Sequence, residues 1–164
     1  MNAIPSSEAR QVIAGLQKTA PVQVIPIAKE LGLAVYSVDN WDDDISGMIV
    51  RDPARGGASG YAVYVNGKHA ETRRRFTIAH EIAHFVLHRS LIGDGVQDDG
   101  LYRSKLSSAV EAEANRLAAD ILMPWSLLNA EIAKGNNSVE ALAKAFNVSK
   151  SSMSIRLGVP YETA

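Results

Sequence analysis

The sequence predicts an α+β fold, a mainly helical single domain over residues 1–164 with a small sheet and a helix-turn-helix-like pair at the C-terminus. Apolar residues recur at helical spacing in residues 73–89 and 107–122, which predicts two long helices. Apolar residues alternate in residues 45–50 and 61–65, which predicts two short strands. Because 164 residues suffice for one hydrophobic core, we expect the sheet to pack beside the helix over residues 73–89.

The composition is that of an ordinary globular protein, with 46% hydrophobic and 21% charged residues. The net charge of -1 gives no general attraction to nucleic acids or to anionic membranes. The chain has no cysteine, which leaves histidine and carboxylates as its strong metal ligands. The opening MNAIPSSEAR has neither a basic start nor an apolar run, so we expect no secretory signal and a cytoplasmic protein.

The N-terminal elements are predicted from periodicity and from residues that end helices. A serine-capped helix is expected over residues 6–18, and a second helix over residues 24–31. Gly32 is a natural helix end before a strand at residues 33–38. Three aspartates at residues 42–44 lack the spacing of a calcium loop and are typical of a solvated turn.

The strand over residues 61–65 follows a loop rich in proline and glycine and alternates apolar residues as a sheet covered on one face requires. If this strand is the edge of the sheet nearest the long helix, it could bind an extended chain by strand addition. A strand that serves only the sheet is an equal alternative, because the sequence does not give the strand order.

The helix over residues 73–89 carries the pattern His80-Glu81-Ile82-Ala83-His84. Residues four apart lie one turn apart on the same face of a helix, so the imidazoles of His80 and His84 can converge on one ion. Glu81, about 100° round the helix, can reach a water held by that ion and accept its proton. An apolar stripe on roughly the opposite side turns these side chains toward a cleft. The pattern therefore predicts metal-assisted hydrolysis.

Catalytic zinc usually has three protein ligands, so a third must lie elsewhere in the chain. His88 is one more turn along the helix, but it lies about 12 Å from His80, too far to share an ion. The metzincin continuation requires glycine and histidine where this chain has Leu87 and Ser90, which excludes that class.

The helix over residues 107–122 offers the third ligand. Glu111 and Asn115 lie one turn apart at the edge of its apolar face. A carboxylate beside a core face needs a partner, which zinc would provide, and Asn115 could orient a ligand histidine. Glu113 projects to the opposite side of the helix, where a solvated charge is expected.

The stretches RRRFTIAHEIAH and EAEANRLAADILMP resemble the two signature helices of the ImmA/IrrE family of zinc metallopeptidases. The resemblance implies Zn²⁺ on His80, His84 and Glu111, with Glu81 as general base and Asn115 as support for a ligand. It further implies a gluzincin-like endopeptidase whose substrate is a protein. In this family the substrate is typically a helix-turn-helix repressor that controls a mobile element or a stress response.

Residues 90–106 form a long, irregular segment that is typical of a lid or substrate loop. Within it, Tyr102 and Arg103 are candidates for stabilising the negative charge that develops on the attacked carbonyl. The run of three arginines over residues 73–75 is expected to solvate a face or to pair locally rather than to form a binding site.

Residues 138–157 have the spacing of a helix-turn-helix, after a further helix predicted over residues 125–133. The segment that would read DNA offers only Lys150 and Arg156 as cations, so a packing role is favoured over direct DNA binding. Two alternatives to a peptidase remain at this point. One is a DNA-binding regulator with a non-catalytic metal, and the other is a toxin-antitoxin type partner that acts through binding alone; no membrane contact is expected.

Overall fold

The structure is a computed structural model, and it describes residues 5–99 and 106–160. Its elements in chain order are α1 (Ser7–Gly15), α2 (Val24–Glu30), β1 (Leu33–Val38), β2 (Ile45–Arg51), β3 (Tyr61–Asn66), α3 (Glu71–Leu87), α4 (Arg89–Ile92), β4 (Gly95–Asp99), α5 (Ser108–Leu122), α6 (Trp125–Ala133), α7 (Val139–Phe146) and α8 (Lys150–Leu157). The predicted mainly helical α+β fold with a small sheet is confirmed. Among the helices of the two described ranges, none has both the length and the apolar character needed to cross a bilayer.

The four strands form one mixed sheet in the order β1-β3-β2-β4. Strand β3 pairs in parallel with β1, where Leu33 faces Tyr61, and antiparallel with β2, where Arg51 faces the same Tyr61. The hypothesis that β3 is a free edge is therefore wrong, because both of its sides are occupied. The connection from β1 to β2 skips one strand position, which β3 then fills between them.

Strand β3 is also covered on both faces rather than on one. Val63 and its outward neighbour Ala62 are both fully buried. Helices cover one face of the sheet. On the other, Tyr36 and Tyr64 stack with ring centroids 5.4 Å apart, and the Arg55 guanidinium lies 3.9 Å from the centre of the Tyr36 ring. The loop between β2 and β3 thus supplies the second cover.

Helix α3 packs on the sheet through β2 and β3 and against α5 along another side. Its close approach to β2 depends on Gly47, since a Cβ added there would lie 2.6 Å from Cγ2 of Thr77 and 2.9 Å from the carbonyl oxygen of Tyr64. Further along α3, Phe85 meets Tyr61 edge to face at 5.6 Å. Helix α3 is therefore fixed in position by the sheet at both ends.

Helix α5 begins at an N-cap that its sequence specifies. The Ser107 side chain accepts a hydrogen bond from the backbone N–H of Val110, which satisfies one of the free donors at the helix start. Small residues then line the crossing with α3, since both helices bury alanines completely, at Ala79, Ala83, Ala114 and Ala118. Small side chains allow the two helix axes to come close, and residues in the first turns of α5 can reach the polar face of α3.

The predicted C-terminal helical pair is present as α7 and α8, each with a serine N-cap. Asn147 ends α7 in the left-handed conformation, with φ 53° and ψ 52°. Leu142, Phe146 and Met153 are fully buried, so the pair packs into the core of the domain.

The expectation of a solvated face at residues 73–75 is wrong for Arg75, which is buried. Its Nε donates to the carbonyl oxygen of Asn147 at 3.0 Å and its Nη2 to that of Phe146 at 3.2 Å. The cause is the end of α7, where carbonyl groups lack helical partners and carry the negative end of the helix dipole. Arg73 remains exposed and donates to Oγ of Ser46 at 3.2 Å.

Candidate metal centre

Three side chains from two helices converge between α3 and α5. His80, His84 and Glu111 each offer a ligand atom, and these atoms lie within 4.8 Å of one another. Oε2 of Glu111 lies 3.2 Å from Nε2 of His80, and Oε1 lies 2.9 Å from Nε2 of His84. The two histidines occupy successive turns of α3, as the sequence predicts, while Glu111 enters from the first turn of α5.

The spacing of the three donor atoms suits a shared metal ion better than hydrogen bonds among the three side chains. Among the residues that the structure describes, Nε2 of His84 is buried without a hydrogen bond, although Oε1 of Glu111 is only 2.9 Å away. Zinc bonds of about 2.0–2.1 Å in tetrahedral geometry place neighbouring ligand atoms about 3.3 Å apart, close to the spacing seen here. Two imidazoles and one carboxylate can therefore hold a cation between these helices.

Asn115 contacts the first histidine on the side away from Glu111. Nδ1 of His80 lies 2.8 Å from Oδ1 of Asn115, one turn after Glu111 on α5. The amide oxygen can only accept, so it favours the proton on Nδ1 and leaves the Nε2 lone pair directed at Glu111 and the candidate ion. The contact proposed for Asn115 from sequence is thus present in the structure.

Glu81 lies next to the ligands on α3 and is fully buried. It is not part of the group of three ligand atoms that converge among the described residues. A buried carboxylate is costly unless positive charge or hydrogen-bond donors lie nearby, so this position suits a group that works beside a cation.

A family model matches most of the chain, including the helices that carry these side chains. The family model described as "IrrE N-terminal-like domain", a peptidase family, matches residues 28–158. The chain belongs to this family. The family is one of metal-dependent peptidases, and the cluster of His80, His84 and Glu111 could hold a metal ion.

A solved structure named "Mycobacterium tuberculosis transcriptional regulator" resembles the chain with a TM-score of 0.63 at 19% sequence identity. The similarity covers 94% of this chain and 47% of that one, so the chain spans about half the length of its structural relative. At this identity the likeness supports the shared fold alone. No curated protein matches the chain.

In this IrrE-like domain the ligand cluster has a second layer that the sequence interpretation missed. Nδ1 of His88 lies 3.1 Å from Nδ1 of His84, and Nε2 of His88 lies 3.4 Å from Oε1 of Glu113. The His88 side chain is 2% exposed and that of Glu113 is 14% exposed. The expectation of a solvated Glu113 is therefore wrong, while the exclusion of His88 as a third ligand agrees with its contacts.

The position of His88 at the end of α3 explains why the sequence interpretation missed these contacts. His88 is the C-cap, with φ -128° and ψ 26°, and its ring meets both His84 and Glu113. Burial lowers the pKa of His88 below its ordinary value and the neighbouring His84 adds to the effect, while Glu113 acts in the opposite direction. The sequence signal that could have indicated the contact between His84 and His88 is their spacing of four residues, the same as between His80 and His84.

A groove of about 510 Å³ that is open to solvent lies on the Nδ1 side of His80, beside Asn115, and none of the three proposed ligands lines it. It starts at Asn115 and Phe76, one turn before His80 on α3, and it runs between α5 and α8 past Ala119, Met123 and Ile155. Ile155 is among the most exposed large apolar side chains of the described residues. Tyr102 and Arg103, the predicted candidates for stabilising a carbonyl oxygen, lie outside the described residues.

Proposed function

We propose that the protein is a zinc-dependent endopeptidase in which His80, His84 and Glu111 hold one zinc ion and Glu81 is the general base. The observation that carries the proposal is the group of three ligand atoms within 4.8 Å, beside a fully buried Glu81. Two imidazoles and one carboxylate are a donor set of catalytic zinc sites, in which a fourth position stays open for water or substrate.

When bound, zinc would supply Lewis-acid chemistry, lowering the pKa of a water to about 7 and polarising the scissile carbonyl. Glu81 would accept the proton of the attacking water and return it to the leaving amine, so that one carboxylate serves as base and then as acid. Asn115 would keep His80 in the tautomer that leaves Nε2 available, through the 2.8 Å contact with Nδ1.

The groove beside Asn115 would take an apolar side chain of a protein substrate at a distance from the cleaved bond. Phe76, Ala119 and Ile155 supply its apolar lining, and Asn115 joins it to His80. Burial of an apolar side chain in such a groove would hold the peptide while the reacting atoms are aligned. Tyr102 and Arg103 remain candidates for stabilising the carbonyl oxygen.

For the substrate itself we infer a helix-turn-helix repressor, whose cleavage would relieve transcriptional repression. The resemblance to the ImmA/IrrE family supports this inference, and so does the name of the structural relative, a transcriptional regulator. The setting would be the cytoplasm, where such a repressor acts.

The test has two arms. The zinc-loaded full chain is incubated with a peptide library and, separately, with a repressor encoded beside it, and products are identified by mass spectrometry. Cleavage that stops on chelation and returns with zinc supports the peptidase, and cleavage of the repressor supports the substrate. Zinc-loaded protein that cleaves neither sample contradicts the proposal, whereas cleavage of library peptides alone contradicts only the repressor.

A DNA-binding regulator is the second candidate, and the helical pair α7 and α8 is the observation in its favour. The DNA-binding hypothesis is weakened because the two cations of α8 already have acidic partners. The Arg156 side chain is 13% exposed, pairs with Asp120 at 2.8 Å and donates to the carbonyl oxygen of Met123 at 3.0 Å. Lys150 lies 3.6 Å from Glu140. With both cations engaged, few charges are left for phosphate contacts.

A further inference from the structure

Among the described residues, His84 has ionisable neighbours at both ring nitrogens, and this arrangement leads to an assignment beyond the ligands. We propose that His88 and Glu113 are positioning residues that hold His84 in the tautomer and ring orientation required for metal binding at Nε2. The inference rests on the proposed metal centre and deepens it. In this arrangement Nδ1–H of His84 donates to Nδ1 of His88, and the proton on Nε2 of His88 faces the Glu113 carboxylate at 3.4 Å without an aligned hydrogen bond.

The distances allow one consistent set of hydrogen positions. His84 and His88 face each other through Nδ1 at 3.1 Å, so one of the two atoms must carry the proton and the other must accept it. If His88 carried it, Nδ1 of His84 would be the acceptor and a neutral His84 would have its proton on Nε2, where it could not bind a metal. Glu113, at 3.4 Å from Nε2 of His88, favours the proton on that nitrogen and so removes this alternative.

The two carboxylates of α5 therefore act on opposite sides of one ligand. Glu111 faces Nε2 of His84 directly at 2.9 Å, whereas Glu113 reaches Nδ1 through the imidazole of His88. A hydrogen bond from the far nitrogen of a ligand histidine toward a carboxylate makes the ligand more basic and fixes its ring. The effect is largest where water is excluded, and both His84 and His88 are buried.

His80 differs from His84 in the side chain that contacts its Nδ1 atom. His80 donates to Asn115, a neutral side chain that is exposed at the mouth of the groove. The support of His84 is charged and lies in the interior, so we expect it to contribute more to metal retention than Asn115 does. A buried His88–Glu113 pair that served packing alone would affect folding without affecting the metal.

The experiment measures the zinc dissociation constant of the full chain by competition with a chromogenic chelator, together with thermal unfolding of the metal-free protein. Glu113→Leu keeps the volume and removes the acceptor, so the dissociation constant should rise about 10- to 100-fold. Glu113→Gln keeps an amide oxygen that can accept from His88 but carries no charge, so it should recover part of the affinity. Glu140→Gln, at an exposed position on α7, is the matched control and should bind zinc as wild type does.

A readout on the wild type keeps the assignment testable if Glu113→Leu does not fold. Long-range ¹H–¹⁵N correlation spectra of the zinc-loaded protein report the tautomer of each histidine. We expect the proton of His84 on Nδ1 and that of His88 on Nε2. A proton on Nδ1 of His88, or unchanged zinc affinity in folded Glu113→Leu, overturns the assignment, and so does equal loss of affinity in Glu113→Leu and Glu113→Gln. A wild type that binds no zinc contradicts the proposed function itself, and the assignment with it.

Discussion

Nε of Arg75 lies 3.0 Å from the carbonyl oxygen of Asn147, so the helix that carries the two proposed histidine ligands is hydrogen-bonded directly to the end of α7. The contact joins residues 72 positions apart in the chain. Through this contact, α7 helps to fix the N-terminal half of α3.

Arg75→Met should destabilise the protein by about 2–3 kcal/mol, since hydrogen bonds from a charged donor are lost and buried carbonyl groups are left without partners. Burial lowers the pKa of Arg75, but the guanidinium remains charged at neutral pH. Urea unfolding of the zinc-free protein measures the change. Arg73→Met, at an exposed position, is the control and should stay within about 0.5 kcal/mol of wild type. Equal effects of the two substitutions would show that the α7 contact adds nothing.

Replacement of any of the three proposed ligands by alanine should sharply reduce zinc retention, because each one supplies a third of the protein's coordinating atoms. Metal content after dialysis of His80→Ala, His84→Ala and Glu111→Ala tests this. His69→Ala removes a histidine whose Nε2 contacts the carbonyl oxygen of Asp43, and it should retain the ion. Retention of wild-type zinc by Glu111→Ala would mean that another group completes the site.

Glu81→Gln separates chemistry from metal binding. The amide keeps the size of the side chain but cannot act as a base, so turnover should fall about 100- to 10,000-fold while zinc content and folding are unchanged. The variant should still capture a cognate repressor in a pull-down. Cleavage at the wild-type rate, at matched zinc content, would exclude Glu81 as the general base. Loss of zinc would instead indicate that Glu81 supports the ligand set.

Gly47→Ala should destabilise the protein by about 1–3 kcal/mol, because the new methyl group overlaps Thr77 on α3. Thr77→Ser removes the Cγ2 atom that lies 2.6 Å from the added Cβ, so the double variant should be more stable than Gly47→Ala alone. A double-mutant cycle of unfolding free energies measures this coupling. Independent, additive effects would show that the overlap is relieved elsewhere, for instance at the carbonyl of Tyr64.

The parts of the site that could be predicted from the sequence lie within single helices. His80 and His84 converge because helical spacing alone brings them together, and Glu111 and Asn115 could be paired for the same reason. Glu113 was misjudged because a helical projection gives the direction of a side chain but not what packs there. His88 lies at the C-cap, where helical geometry no longer holds.

The strand order could not be predicted for a related reason. Alternation in residues 61–66 indicates a strand. The position of β3 in the sheet, however, depends on its parallel pairing with β1, a strand that is separated from β3 in the chain by β2. Likewise, the run of arginines over residues 73–75 gives no indication that one member meets the carbonyl end of a helix. Contacts between segments far apart in the chain decide both cases.

The left-handed backbone of Asn147 also constrains how the sequence can vary. Among described residues other than glycine, it is the one with a positive φ, and side chains other than asparagine and aspartate adopt this conformation at a cost of about 1–2 kcal/mol. Its carbonyl is also an acceptor for Arg75. In divergent relatives we therefore expect position 147 to alternate among asparagine, glycine and aspartate wherever position 75 is arginine. A β-branched residue at 147 should appear together with a different residue at 75.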